Sequence, residues 1–476
     1  MIIISDQLER KYNNGAKVVL LVSVLAIPLQ LATSAVISRV SAEASGILGI
    51  IELFYNIIIT FFLFGGETAI VKLLSDIKQP LNKKRFIVYY IRICLIYFVV
   101  FTVAFRLFGI DIIKIFVGID ENTTLSMYLA GILIIICNIL LAYVKEQEHF
   151  FIYSIGTKVF NIVTFFGTLY IAVINKSNAK SNLFMSLFIG FILLLIYLLI
   201  KNKLFNLKAL FEFKRPEQKI FKYALFLHLS TIMAFIFDKA DQIIIINKLG
   251  LGVLGGYYLI VKIVNMIKLI PNIYNSTFYP YICKQLNKET SNKIFGILIN
   301  RNLMIIFPIT VSIVMNSKLI VRVLFGPEYL DYTNILQLFT ITVIISAPAI
   351  ILNNYLFALG KSKQYFIISV ISVVFQVSLM LPLLKYVGIE GLVIVRVVAS
   401  IITISLCKLY LRKMDYEIKL SNQYYLYCSL LCILGLIIKI KNTNDLINLL
   451  ITIVVLIIFC IFNRNSLLNL IKVKQI

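Results

Sequence analysis

The sequence predicts an all-α polytopic membrane protein of about fourteen transmembrane helices, arranged as two pseudo-symmetric six-helix bundles plus two C-terminal helices. Three observations carry this. Apolar side chains make up 60% of the 476 residues, and mean hydropathy is +0.95. They gather in repeated runs of roughly 20, the length at which a helix rising about 1.5 Å per residue crosses about 30 Å of hydrocarbon. The two halves of the chain also echo each other. Runs this long, without period-two alternation, exclude an outer-membrane barrel and leave no stretch for a sizeable soluble domain.

The first span covers 17–40, after a polar segment at 1–16. Ala42, Glu43 and Ala44 beyond it resemble a signal-peptidase site. The run is longer than a signal-peptide core and another span follows at once, so it is read as retained. The second span, 47–71, carries Glu52 near one end and Gly65, Gly66 and Glu67 near the other. Spans at 86–108, 123–144, 150–174 and 183–200 complete a first bundle over 1–200. A basic linker at 201–219 leads to a second bundle over 220–410, with spans at 220–247, 253–273, 298–317, 332–356, 364–384 and 390–410. The remainder, 411–476, holds two more spans at 423–440 and 444–462 and a tail.

Charge sets the orientation. Loops on the side of the N-terminus carry 25 Lys and Arg against 9 on the opposite side, so both termini and the linker are expected to face the cytoplasm. Every outward loop is then about 14 residues or shorter, too short for an external catalytic domain. The net charge of +24 would point to nucleic acid in a soluble chain. Here the cations flank membrane spans, and the partner they imply is the lipid bilayer.

Material for catalysis is sparse. Cys94, Cys137, Cys407 and Cys460 lie in apolar runs, Cys283 near a loop, and Cys428 and Cys432 on one face with no histidine nearby, all read as small apolar filler. His149 and His228 are too far apart in sequence to suggest zinc or a hydrolytic triad. Gly250, Gly252 and Gly255 fit a dinucleotide-binding fingerprint, but no acidic residue follows about 20 positions on and no βαβ unit surrounds them. They read as a turn with close helix packing. There is no P-loop. No cofactor or metal and no enzymatic activity is expected.

What remains is charge inside the spans, where each ionised group costs roughly 2.5–3.5 kcal/mol on insertion scales and normally faces a partner or a hydrated cavity. Asp238 and Asp241, three residues apart, share a face of the seventh span, with Lys239 rotated away. Lys262 lies about 14 Å into the eighth span and Lys158 about 12 Å into the fifth. Asn265 and Asn161 sit one turn beyond their lysines. Arg92 and Arg396 each lie six residues inside a span, where long side chains can also snorkel. These cations and amides are candidates for lining a path for something charged. Asp241, Asp238 and Glu52 are candidates for binding a coupling proton or sodium ion. The competing structural reading pairs the aspartates with Lys262 or Arg396 and leaves Glu52 at the interface.

The internal echo is weak at any one position. An offset of 209 residues places Arg39 on Lys248, Gly46 on Gly255 and Asn56 on Asn265, and an offset of 216 places Ala142 and Lys145 on Ala358 and Lys361. Two six-span halves entering from the same side make a parallel repeat, with substrate expected between the halves.

From Phe226 to Ser405 the chain resembles the polysaccharide-transporter branch of the multidrug, oligosaccharidyl-lipid and polysaccharide (MOP) exporter superfamily, the O-antigen and capsule repeat-unit flippases. The resemblance lies in Asp241 before Ile243–Ile246, Gly250, Gly255, Tyr257 and Pro280; Pro308; Leu324–Gly326 with Tyr329; Ala358, Gly360, Lys361 and Lys363; and Pro382, Tyr386, Gly388, Ile389 and Gly391. The first half fits more loosely, through Gly46 and 145–161. A proline often found early in the seventh span is absent around Leu225–Leu229, and Gln376 replaces a common asparagine. The first two spans lack the mid-membrane arginine known in lipid II flippases, which argues against a peptidoglycan precursor. The resemblance implies export of an undecaprenyl-pyrophosphate-linked oligosaccharide across the bacterial cytoplasmic membrane, with glycan polymerases or glycosyltransferases as possible partners. Lys262, Lys158, Arg92 and Arg396 would then serve pyrophosphate, and Asn265 and Asn161 sugar hydroxyls. A drug or metabolite antiporter of the same superfamily, and a membrane glycan polymerase or ligase, are the alternatives.

Overall fold

Backbone amides in hydrocarbon are satisfied only inside a helix or a closed barrel. The chain takes the first solution: every regular element among the described residues is helical. The computed structural model describes residues 2–75, 77, 79–107, 124–174, 179–202, 218–284, 288–359, 361–416, 420–441 and 445–464. Most of the expected linker, 203–217, lies outside them.

The first helices are α1 (Ile2–Ser38), α2 (Ala42–Ile57, continued by a π-turn at Ile58–Phe62), α3 (Gly66–Ser75) and α4 (Pro80–Leu107). Then come α5 (Thr124–Glu146), α6 (Phe150–Val173), α7 (Ala179–Asn202), α8 (Gln218–Lys248) and α9 (Leu251–Lys284). The chain goes on through α10 (Lys288–Met315), α11 (Ser317–Leu324), a 3-10 turn at Pro327–Tyr332, α12 (Thr333–Ala358), α13 (Ser362–Val387) and α14 (Ile389–Arg412). It ends in α15 (Asn422–Lys441) and α16 (Asp445–Phe462).

Among the described residues, eleven helices are long and apolar enough to cross a membrane, or up to twelve spans if α10 and α11, bent by 76°, count as one. The expected seventh and thirteenth spans are the helices α8 and α15, which fall outside that set. Asp238, Lys239 and Asp241 interrupt the apolar run of α8, and α15 opens on polar residues. The exterior is rich in bare apolar side chains, among them Leu25, Phe166, Val173 and Phe462. That is the expected surface of a multi-pass membrane protein.

One boundary differs from the sequence expectation. The second span was expected to be continuous over 47–71. It begins earlier, at Ala42, where the Ser41 hydroxyl accepts the Ala44 amide at 2.9 Å, and it breaks after the π-turn at Leu63–Gly65. Gly65 and Gly66 have φ of 79° and 67°, values that residues with a Cβ rarely adopt. The glycine pair ends the span and starts α3 in a new direction.

The chain forms two compact units, Met1–Tyr258 and Leu259–Ile476, divided inside α9. In the first, α5 is the hub. Met127, Ala130, Ile134, Ile135, Cys137, Leu140 and Ala142 on it are fully buried, and α3, α4, α6 and α7 pack around it. In the second, α12 is the hub, packed by α10, α13, α14 and α15. These hubs are the fourth and tenth expected spans, six apart, as the repeat requires. The last two helices are integral to the second unit. Tyr427 of α15 stacks on Phe307 of α10 at 4.3 Å, and Asn316 donates to Thr452 of α16 at 3.0 Å.

The Gly250–Gly255 turn does what close packing predicts. Gly250 takes a positive φ of 88°. A Cβ on Gly255 would collide with the Ala42 carbonyl, and one on Gly46 with the Leu251 carbonyl, so backbone meets backbone where α2 crosses the start of α9. Gly252 faces open space. Gly255→Leu is therefore expected to destabilise the protein by about 1–3 kcal/mol, the usual cost of overpacking. Gly252→Leu should leave the midpoint of a thermal unfolding scan in detergent unchanged.

Candidate functional site

Two groups of polar side chains stand out within the first unit. One joins α2, α8 and the start of α9. Glu52 on α2 accepts the Tyr258 hydroxyl at 2.8 Å, and its other oxygen lies 3.6 Å from the Lys239 ammonium, both side chains being largely buried. Asp241, one turn from Asp238 on α8, is 1% exposed. It accepts the Tyr257 hydroxyl at 2.5 Å and the Gln242 amide at 2.8 Å. Adjacent tyrosines on α9 thus serve acids on two different helices. Gly49 makes room, since a Cβ there would lie 3.0 Å from the Tyr258 ring.

The second group is a stripe along α6. Ser154, Thr157, Lys158, Asn161, Thr164 and Thr168 recur at steps of one, three or four residues and share one side of the helix. The hydroxyls of Ser154, Thr157, Thr164 and Thr168 bond to carbonyls one turn back at 2.6–2.8 Å, so they are satisfied locally. Lys158 and Asn161 are half-buried. Among the described residues no hydrogen bond or ion pair engages either side chain. Lys158 sits about 12 Å from the helix start and Asn161 about 17 Å. Beside them Tyr55 of α2 stacks on Phe160 at 4.4 Å. An ammonium with three donors next to an amide suits a group rich in oxygen acceptors.

The other sequence candidates are dispersed. Asp238 is exposed on α8 and Arg92 half-buried on α4. Lys262 and Asn265 are half-buried on the part of α9 that belongs to the second unit. Arg396 on α14 is 3% exposed, its guanidinium 5.6 Å from the Phe339 ring centroid. Within its own unit Asp241 is served by a tyrosine, and Glu52, expected at the interface, is ion-paired with Lys239. The sequence names Tyr257 only through the family resemblance and does not show that it serves Asp241, nor the roles of Tyr258 and Lys239. The hydroxyl spacing along α6 was readable but went unread.

A family model for polysaccharide biosynthesis proteins matches residues 36–334. The chain belongs to that family. The match takes in α6, α8 and the start of α9, so it covers both polar groups. It stops short of Arg396 and of the later stretches around Ala358–Lys363 and Pro382–Gly391. Among solved structures the chain is similar to a lipid II flippase, MurJ, in an inward closed conformation, with 16% identity, a TM-score of 0.70, and 94% of this chain and 99% of that one covered. It is also similar to an inward-facing multidrug resistance MATE transporter of the MOP superfamily, with 12% identity, a TM-score of 0.64, and 84% and 99% covered. The Vibrio cholerae MATE transporter VcmN gives 14% identity, a TM-score of 0.51, and 87% and 100% covered. No match is found among curated proteins. The family member therefore has the fold of MOP transporters.

Because Lys239 and Glu52 are largely buried, removing one partner leaves an unanswered charge. Glu52→Gln and Lys239→Met are each expected to cost about 1–3 kcal/mol, discounted for the 3.6 Å separation and residual exposure. The double variant should recover most of that loss, measured as a double-mutant cycle of unfolding midpoints.

Proposed function

We propose that the protein is a flippase that carries an undecaprenyl-pyrophosphate-linked oligosaccharide repeat unit across the bacterial cytoplasmic membrane for O-antigen or capsule biosynthesis. Membership of a polysaccharide biosynthesis family supports a glycan cargo, and the MOP fold supports transport by alternating access of two bundles. The observation that carries the reading is Lys158, a half-buried cation in a membrane helix with no partner among the described residues, next to an equally unengaged Asn161. A cation held in that condition is expensive unless its partner arrives with the substrate.

On this reading Lys158 and Lys262, with Arg92 and Arg396, present positive charge to the pyrophosphate. Asn161 and Asn265 address sugar hydroxyls, and the prenyl tail stays in the bilayer. Asp241, Asp238 and Glu52 are the acids available for coupling to an ion gradient, Asp241 being the most deeply buried of the three. Both termini face the cytoplasm, where polymerases and glycosyltransferases of the same pathway would meet the protein.

The test is complementation of a strain that lacks its own repeat-unit flippase, at matched membrane expression. The native chain should restore surface polysaccharide. Lys158→Ala and Lys262→Ala should each lower it about tenfold or more, the scale of one charge-assisted contact, and Lys262→Arg should retain it. Restoration undiminished by either alanine would discard the cationic path.

A further inference from the structure

The break in the second span has a buried histidine against it. His228 on α8 is 4% exposed. Its ring lies 5.1 Å from that of Phe64, the residue at the centre of the break, and 6.4 Å from that of Tyr97 on α4. Both ring nitrogens are buried and neither has a hydrogen-bond partner. A neutral imidazole always carries one donor and one acceptor, so this site withholds two hydrogen bonds. Buried groups left in that state are uncommon and call for an explanation.

The segment it touches departs from regular helix. The π-turn at Ile58–Phe62 disrupts the regular ladder, and the Phe64 carbonyl is held by the Tyr90 hydroxyl in place of a helical amide. Gly65 and Gly66 then turn the chain. Beyond them α3 is fastened at its first turn, where Glu67 is gripped by Lys145 and by the Tyr153 hydroxyl at 2.9 Å.

We propose that His228 is a proton-binding site whose occupancy sets the conformation of this joint. The proton adds to the lone pair of the free ring nitrogen. The resulting imidazolium has two donors and, among the described residues, no hydrogen-bond acceptor to receive them. Among the described residues, no other charged or titratable group on the packed elements answers it. α4 offers Tyr97, with Cys94 and Tyr90 one and two turns away. α3 carries Glu67, already engaged; the Lys72 side chain lies outside the described ones. On α2, Glu52 is held by Lys239 and Tyr258, and the π-turn carries no ionisable residue. On α8 itself the nearest charged groups among the described side chains, Asp238 and Lys239, lie ten and eleven residues on, while Lys219, Lys222 and Tyr223 fall outside the described side chains. A conformer in which the joint opens and water reaches the ring therefore binds the proton more tightly, and acidification shifts the population towards it. This holds whatever cargo the protein carries.

The experiment uses the full chain in lipid nanodiscs and needs no substrate. The sequence has two histidines, so His149→Asn leaves one imidazole to follow by nitrogen NMR between roughly pH 8 and 4.5, a range that brackets ordinary histidine titration. Hydrogen exchange of residues 58–75, corrected for intrinsic rates, is measured in parallel. The expected result is a titrating ring and an about tenfold loss of protection on acidification, absent in His228→Phe and His228→Asn. A ring that never titrates overturns the proposal, as does one that titrates without any change in protection. An equal loss in the variants overturns it too. If the variants fail to fold, the native chain and His149→Asn decide it alone.

Discussion

A charge inside hydrocarbon has to be answered, and the pair of Glu52 and Lys239 is the clearest answer in the first unit. The two groups come from helices almost 190 residues apart in sequence, and the Tyr258 hydroxyl fills the remaining side of the carboxylate. The contact requires α2, α8 and the start of α9 to meet at one place, and the geometry of that place follows from it. Small residues at Gly46, Gly49 and Gly255 let the backbones approach closely enough. With backbone in contact, the tyrosines of α9 reach acids on both neighbours.

The same constraint separates structural polar groups from available ones. Serines and threonines in the spans mostly return their hydroxyls to their own helix, a local solution that needs no neighbour. Ser154, Thr157, Thr164 and Thr168 do this along α6. Lys158 and Asn161 on the same stripe do not, and that difference turns a polar face into a candidate binding surface. Asp241 falls on the structural side, closed in by Tyr257 and Gln242, yet as a buried acid it can still exchange a proton if α9 shifts.

Much of the fold could be read from the sequence because it rests on apolar run length and loop charge, which are one-dimensional signals. The expected helix positions and the six-span repeat fall out of them, and α5 and α12 occupy equivalent places as hubs. The break at Leu63–Gly65 was not read, although Gly65 and Gly66 marked it. An apolar stretch conceals a π-turn, because the extra residue changes hydrogen bonding and leaves composition alone. The site was legible in kind and not in pairing. Charged residues within spans could be named, but Glu52 and Lys239 could be matched only once the helices were in place. His228 was passed over because no ligand partner lay near it in sequence, and its isolation is what makes it informative.

The central claim is that a cationic, amide-bearing stripe on a MOP scaffold moves a pyrophosphate-linked glycan lipid between leaflets. The most direct measurement is translocation in proteoliposomes. A fluorescent, short-chain prenyl-pyrophosphate oligosaccharide is placed in one leaflet, and its appearance in the other is followed with a membrane-impermeant quencher. The account predicts that the native chain accelerates transfer over empty liposomes and that the corresponding prenyl alcohol, which lacks pyrophosphate and glycan, does not compete. Transfer no faster than in empty liposomes, with the protein inserted and folded, or equal competition by the prenyl alcohol, would contradict it.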